Sequence, residues 1–308
     1  MPDSHLVIAS AIPPLREGVP LPPLPALPQL EALLGHLREA GRLACEADAP
    51  DAPFERILAQ LYGLHHPSGQ VPWAALETQT TGTPCAWIRP CHLQLGMDSA
   101  MVADPAMLAL DDAAAQALLA TVRPYMAEAG ILIDYQRPDA WLARSPLFAG
   151  LSTCSIMRAS QEPLSREALA VSGTGDAATL RRMQSEWQML LAGHPVNEAR
   201  EASGLPPVNA LWIEGAGTLA EIPAASTAII SERRLAQAGP ELARRHAVWQ
   251  AIDQDRVAPL RDALTAGRRV QLTLCGPRSA ITLQSARGMA RLAARFRPLR
   301  LDALRLQL

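Results

Sequence analysis

The spacing of apolar side chains marks out strands and helices along the chain. Leu6-Val7-Ile8-Ala9-Ser10 is a short, unbroken run of the kind a buried strand shows. Leu30, Leu33, Leu34 and Leu37 then recur at helical spacing, and Phe54 to Tyr62 predicts a second helix. Ala86–Arg89, His92–Leu95 and Ala100–Ala103 read as short strands. From Asp111 a longer helix is signalled: Asp111 and Asp112 can cap its start, its body is rich in Ala and Leu, and Gly130 sits where a left-handed C-cap would. Pro124 inside that run predicts a kink or break. Ile131–Tyr135 and Ala140–Arg144 flank Gln136-Arg137-Pro138-Asp139, a strand–turn–strand hairpin. After the loop Ser172–Asp176, Asp176 can cap a helix running to about Leu191. Val208–Ile213, Thr227–Ser231, Val270–Cys275 and Ala280–Gln284 are β-type runs, the last two joined by Gly276-Pro277. Arg287 to Phe296 predicts a closing basic helix.

Proline punctuates this pattern. Pro13, Pro14, Pro20, Pro22, Pro23, Pro25 and Pro28 fix φ and remove N–H donors, so residues 13–28 predict an extended surface connector. A Pro-, Gly- and Thr-rich stretch around Pro67 to Pro84 leads to the strand-like pieces Ala86–Arg89 and His92–Leu95. Strands and helices interleave without strict alternation, which predicts a mixed α/β fold, with α+β as the alternative. Residues 1–308 are expected as a single large globular domain, with a subdivision near 85–175 as the other arrangement.

Composition narrows the chemistry. With 308 residues, 49% hydrophobic and 19% charged, the chain can bury a full core. Its 28 basic and 30 acidic side chains give a net charge of −2, against a nucleic-acid or membrane-surface protein relying on bulk positive charge. Every basic residue is arginine, an Arg-for-Lys, Ala-rich usage that points to a GC-rich bacterial genome. With no lysine there can be no Schiff base and no P-loop lysine on a terminal phosphate. Five cysteines, an odd number scattered through a large chain, read as reduced cytosolic thiols. The segment from Met1 lacks a positive n-region, and its apolar stretch is too short for a signal peptide. A cytoplasmic protein without membrane or nucleic-acid partners is expected.

Several motifs yield to simpler explanations. Gly215-Ala216-Gly217-Thr218-Leu219-Ala220 fits a dinucleotide-binding pattern, but Pro223 and the next strand leave no room for the crossover helix that would hold a pyrophosphate. Cys85, Cys91 and His92 lack the second ligand pair of a zinc site, and Gly150-Leu151-Ser152-Thr153-Cys154 lacks the closing glycine of a nucleophile elbow. Arg291, Arg295, Arg297, Arg300 and Arg305 read as a solvated basic tail. No metal ligands and no cofactor are expected.

The stretch His194 to Gly217 is denser. In structural terms Asn197 can cap a short helix that Gly204 ends, and Pro206-Pro207 deliver the chain into a strand. That strand would set Leu211 and Ile213 on one face and Trp212 on the other, ending in a glycine turn. In functional terms His194, Asn197, Arg200 and Asn209 supply fixed donors beside main-chain N–H groups at Gly215 and Gly217, a set suited to a phosphate or carboxylate ligand.

The same stretch, HPVNEAREASGLPPVNALWIEGAG after SEWQMLLAG, resembles the central motif of a bacterial family of RpfE-type regulatory proteins, with weaker similarity from about Cys91 onward. The motif alone is similar to that of cofactor-independent, archaeal-type phosphoglycerate mutases. That resemblance implies an alkaline-phosphatase-like α/β fold, complete or reduced. It would also imply two divalent metals on Asp and His ligands. Yet the first strand, His5 to Ile12, ends without an acid, and His246 is the one histidine after His194. The expectation is therefore a mutase-like protein without mutase turnover, binding a small phosphorylated or carboxylate ligand or a protein partner in a regulatory role. The alternative is a phosphoryl-transfer enzyme, mutase or phosphatase, drawing on His92, Asp98 and Asp104.

Overall fold

A computed structural model describes residues 3–13, 20–224, 227–286 and 299–308. The fold is mixed α/β, and the chain divides into two compact units. The predicted helix Arg287 to Phe296, with Arg291, Arg295 and Arg297, lies outside the described residues.

The first unit comprises Met1–Glu46, Ala52–Leu64 and Ala224–Leu308. Its five-stranded sheet runs Ala228–Glu232, Ser4–Ile8, Val270–Cys275, Ser279–Ser285, Leu37–Ala44. The first three strands are parallel and the last two pair antiparallel. Leu6, Ile8, Leu272, Leu274, Ile281 and Leu283 share a core with Leu30, Leu33 and Leu34 of the helix Pro28–Leu34. Trp249, Ile252 and Leu260 join it from Leu242–Ile252 and Ala258–Thr265. Between those two helices a π-helical turn, Asp253–Val257, aims the buried Asp253 carboxylate at the Gln29 and Leu30 N–H groups, 3.1 and 2.8 Å away. It thereby caps a helix whose own N-cap, Leu27, has no acceptor to offer. Leu37 does not continue the helix as its spacing predicted: it begins an edge strand, Leu37–Ala44.

The second unit comprises Ala47–Asp51 and His65–Pro223. Its antiparallel sheet has the order Ala210–Gly217, Cys85–Cys91, Ala140–Arg144, Leu132–Arg137. Helices Asp112–Glu128 and Ala177–Leu191 cover one face, where Leu118, Val122, Met126, Leu180 and Trp187 meet Ile88, Leu211 and Ile213. On the other face Trp212 and Ala210 pack with Cys154, Ile156 and Leu164. The alternation predicted for Leu211, Trp212 and Ile213 thus separates two apolar clusters. A small sheet, Leu93–Leu95, Ser99–Val102 and Leu164–Ser165, completes the unit.

Two local expectations are corrected. Pro124 does not break its helix, because it faces solvent and Val122 and Met126 keep their packing on either side. Within the stretch Pro67 to Pro84, Trp73–Glu77 forms a helical turn. The strand does not stop before Gly215-Ala216-Gly217 but runs through them to Gly217, with a bulge between Glu214 and Gly217. A Cβ at Gly215, whose φ is +61°, would lie 2.9 Å from Trp73 Cβ, so glycine lets the Trp73–Glu77 turn press onto the strand.

Candidate functional site

Pro195 occupies the first turn of the helix Pro195–Ala202, so His194 is its N-cap, and Asn197 lies inside the helix instead of capping it. The His194 Nδ1 accepts from the Val196 N–H at 3.1 Å. In the neutral ring this leaves the proton on Nε2, which stands 3.0 Å from Thr121 Oγ1 on the long helix.

Asn197 is buried, and its amide makes three main-chain bonds. Its Nδ2 donates to Leu191 O and Val208 O, both at 2.9 Å, while Oδ1 accepts from Val208 N at 2.8 Å. One side chain thereby ties the end of the preceding helix to the entry of the strand. Arg200, also buried, donates from Nε to Pro206 O at 3.0 Å and from its guanidinium to Leu108 O. Burial pulls its pKa below the usual arginine value, and Asp111 opposes the shift.

Asn209 works on the other side of the strand. Its Oδ1 accepts from Leu93 N at 2.6 Å and its Nδ2 donates to Leu93 O at 3.0 Å, a two-point clamp resembling a strand pairing. Beside it the His92 Nδ1 meets Pro207 O at 2.8 Å. Gly215 and Gly217 lie farther along the strand, roughly 20–25 Å from Asn209 at the usual rise per residue, against Trp73 and Pro72. His194, Asn197 and Arg200 thus gather around the strand entry, Asn209 faces the hairpin, and the two glycines stand apart from both.

That hairpin consists of Leu93–Leu95 and Ser99–Val102, turning through Gly96, Met97 and Asp98. Arg166 reaches across to donate to Gly96 O and Met97 O, at 3.2 and 3.3 Å. Leu95 and Met97 are 69% and 90% exposed. The motif and Arg166 therefore hold both ends of an element whose tip presents Leu95 and Met97 to solvent beside the exposed Asp98. Among the described residues no three His, Cys, Asp or Glu side chains gather as ligands for a metal ion, His92, Asp98 and Asp104 included.

A second polar feature escaped the sequence reading. Glu214 accepts from Ile156 N at 2.6 Å and pairs with Arg89 Nε at 3.2 Å. Arg89 also approaches Asp139 at 3.4 Å, and the Arg137 guanidinium lies 5.6 Å from the centre of the Trp87 ring. Burial first, with the Glu214 charge adding to it, pushes the Cys91 thiol up to about 12. The signal available in the sequence was the charge of Glu214 within an apolar strand.

A scan against protein-family models finds no match for the chain. No curated protein matches it, so these two comparisons give the RpfE-type resemblance no support. Among solved structures, the chain is similar to a cofactor-independent phosphoglycerate mutase from Thermoplasma acidophilum DSM 1728. The identity is 15% and the TM-score 0.35, covering 100% of both chains. It is also similar to the PH0037 protein from Pyrococcus horikoshii, at 13% identity and a TM-score of 0.42, over 93% of this chain and 88% of that one. Among the described residues no helix is long and apolar enough to cross a membrane.

Proposed function

We propose that this chain is a regulatory protein of the cytosol that acts by binding a protein partner through the Leu93–Val102 hairpin. The carrying observation is the pairing of exposure with restraint: Leu95 and Met97 stand open, while Asn209 holds the hairpin base and Arg166 its tip. Apolar side chains on a tip fixed in advance lose little conformational entropy on docking, and burying a Leu or Met side chain contributes about 1.5–3 kcal/mol. Methionine adds adaptability to an imperfect pocket. The partner reading is favoured over a small phosphorylated or carboxylate ligand at His194, Asn197, Arg200 and Asn209. Both amide donors of Asn197, one of the two on Asn209, and two of those on Arg200 are already committed to main-chain oxygens. Four buried thiols and one half-buried, Cys45, fit a reducing compartment.

The test is site-specific photo-crosslinking in the source cells, with the reactive side chain at position 97 and, as a control, at the exposed Glu201. A discrete heterologous adduct from position 97 alone, lost when Leu95→Glu is added, is the expected result. No adduct, an adduct with a second copy only, or the same products from both positions would overturn the proposal.

A further inference from the structure

The five-stranded sheet of the first unit ends in two unlike edges. The strand Leu37–Ala44 carries Arg38, Glu39 and Arg42, pairs Arg42 with Glu39 at 2.6 Å, and holds an extra residue, Ala40, against the step from Thr282 to Leu283. Charges and a bulge of this kind keep an edge from pairing with another chain. The opposite edge, Ala228–Glu232, has no such guard. Its register with Ser4–Ile8 is unbroken, and the run Ala-Ile-Ile-Ser precedes its single charge, Glu232. That carboxylate is 3% exposed and is held by Arg234 and Arg256.

The main chain shows what this edge lacks. The Ala9 N–H donates to Glu232 O at 2.9 Å. Successive residues of a strand direct their N–H and C=O groups to opposite sides, so Ala228, Ile230 and Glu232 turn theirs toward Ser4–Ile8. Ile229 and Ser231 turn theirs outward, and among the described residues nothing pairs with them. Ala228 and Ser231 are exposed, Ile229 and Ile230 half-buried, so the row lies open to an incoming strand.

We infer that this edge pairs with the same edge of a second copy of the chain, antiparallel about a two-fold axis through Ile230. In that register Ile229 stands opposite the partner's Ser231 and Ser231 opposite the partner's Ile229, so every outward N–H and C=O of the strand finds its complement. Ile230 meets the partner's Ile230 in the close, non-hydrogen-bonded position, a β-branched pair that suits a sheet. Glu232 stands opposite the partner's Ala228, so no like charges oppose each other across the axis. A two-fold copy thus supplies a strand of equal length, opposite direction and matching pattern, and joins the two five-stranded sheets into one. This edge lies in the other unit from the hairpin and stands independently of the partner proposal.

Sedimentation of the full chain at rising concentration tests it, together with hydrogen exchange in the same samples. A reversible monomer–dimer equilibrium is expected, with the Ile229 and Ser231 amides exchanging at least about tenfold more slowly in the dimer. Ser231→Pro removes an outward N–H that the described fold does not use, and should leave a folded monomer at every concentration. Because that variant can fail to fold, the wild-type exchange at Ile229 and Ser231 decides alone in that event. A wild-type monomer throughout, a dimer in which those two amides exchange as fast as in the monomer, or dimerisation of folded Ser231→Pro would overturn the inference.

Discussion

Replacing Asn197 by alanine removes three hydrogen bonds at once, and their geometry fixes the expected loss. Leu191 O keeps a second donor, the His194 N–H at 3.2 Å, so it is only partly deprived. Val208 loses the partners on both its N–H and its C=O, in a position where the side chain is fully buried. A stranded main-chain group costs about 1–3 kcal/mol and a net hydrogen bond about 1, so the total is about 3 kcal/mol. Five of the six tryptophans lie in the second unit, so their fluorescence in guanidinium titrations follows the unit that contains Asn197. The midpoint should fall with the slope unchanged, the mark of a stability change without altered compactness. A loss below about 1 kcal/mol, together with lost binding of a phosphate ester, would refute the structural role and restore Asn197 as a ligand donor.

Other consequences follow from individual groups. His5 is buried, its Nε2 is 2.7 Å from Thr273 Oγ1, and burial lowers its pKa from 6.5 to about 4. The unfolded chain takes up this proton near pH 6.5 and the folded one only near pH 4, so stability falls as pH drops through that window. The limit is about 3 kcal/mol, and His5→Leu should remove that slope from pH-dependent denaturation curves. Gly215→Ala should cost about 2 kcal/mol by chemical denaturation, because its φ of +61° and the 2.9 Å approach to Trp73 Cβ both resist a side chain. Native thiol labelling followed by peptide mapping should modify Cys45 first. Burial raises the Cys91 and Cys275 thiols far from reactivity, and equal labelling of Cys91 would contradict that burial.

The sequence was most legible where a side chain's destiny is local. Asp111 caps its helix by accepting from Ala114 N, Gly130 takes the positive φ expected of a C-cap, and the hairpin around Pro138 forms as its turn residues predict. The strand Leu37–Ala44 was not legible, because its central residues are exposed and polar and it is held by main-chain pairing to Ser279–Ser285. Nor was the pairing of Ser4–Ile8 with Ala228–Glu232 and Val270–Cys275, since nothing local to one strand names a neighbour at the far end of the chain. At the motif, the residue types were informative but their targets were not: Asn, Arg and His offer the same donors to a phosphate as to a main-chain carbonyl. Asn197 looked like the cap because asparagine favours that position, while Pro195 at the helix start carried the better signal for His194. Arg305 read as part of a solvated tail, yet it is buried, because the helix Leu301–Arg305 packs Leu301 and Leu304 into the first unit's core.

Hydrogen exchange at the Leu93 amide tests the bracing of the hairpin most directly. That N–H donates to Asn209 Oδ1 at 2.6 Å, so in Asn209→Ala it should exchange at least about tenfold faster, with Ile213 in the neighbouring sheet unchanged. Unaltered protection at Leu93 in that variant would contradict the claim that the motif holds the hairpin in place.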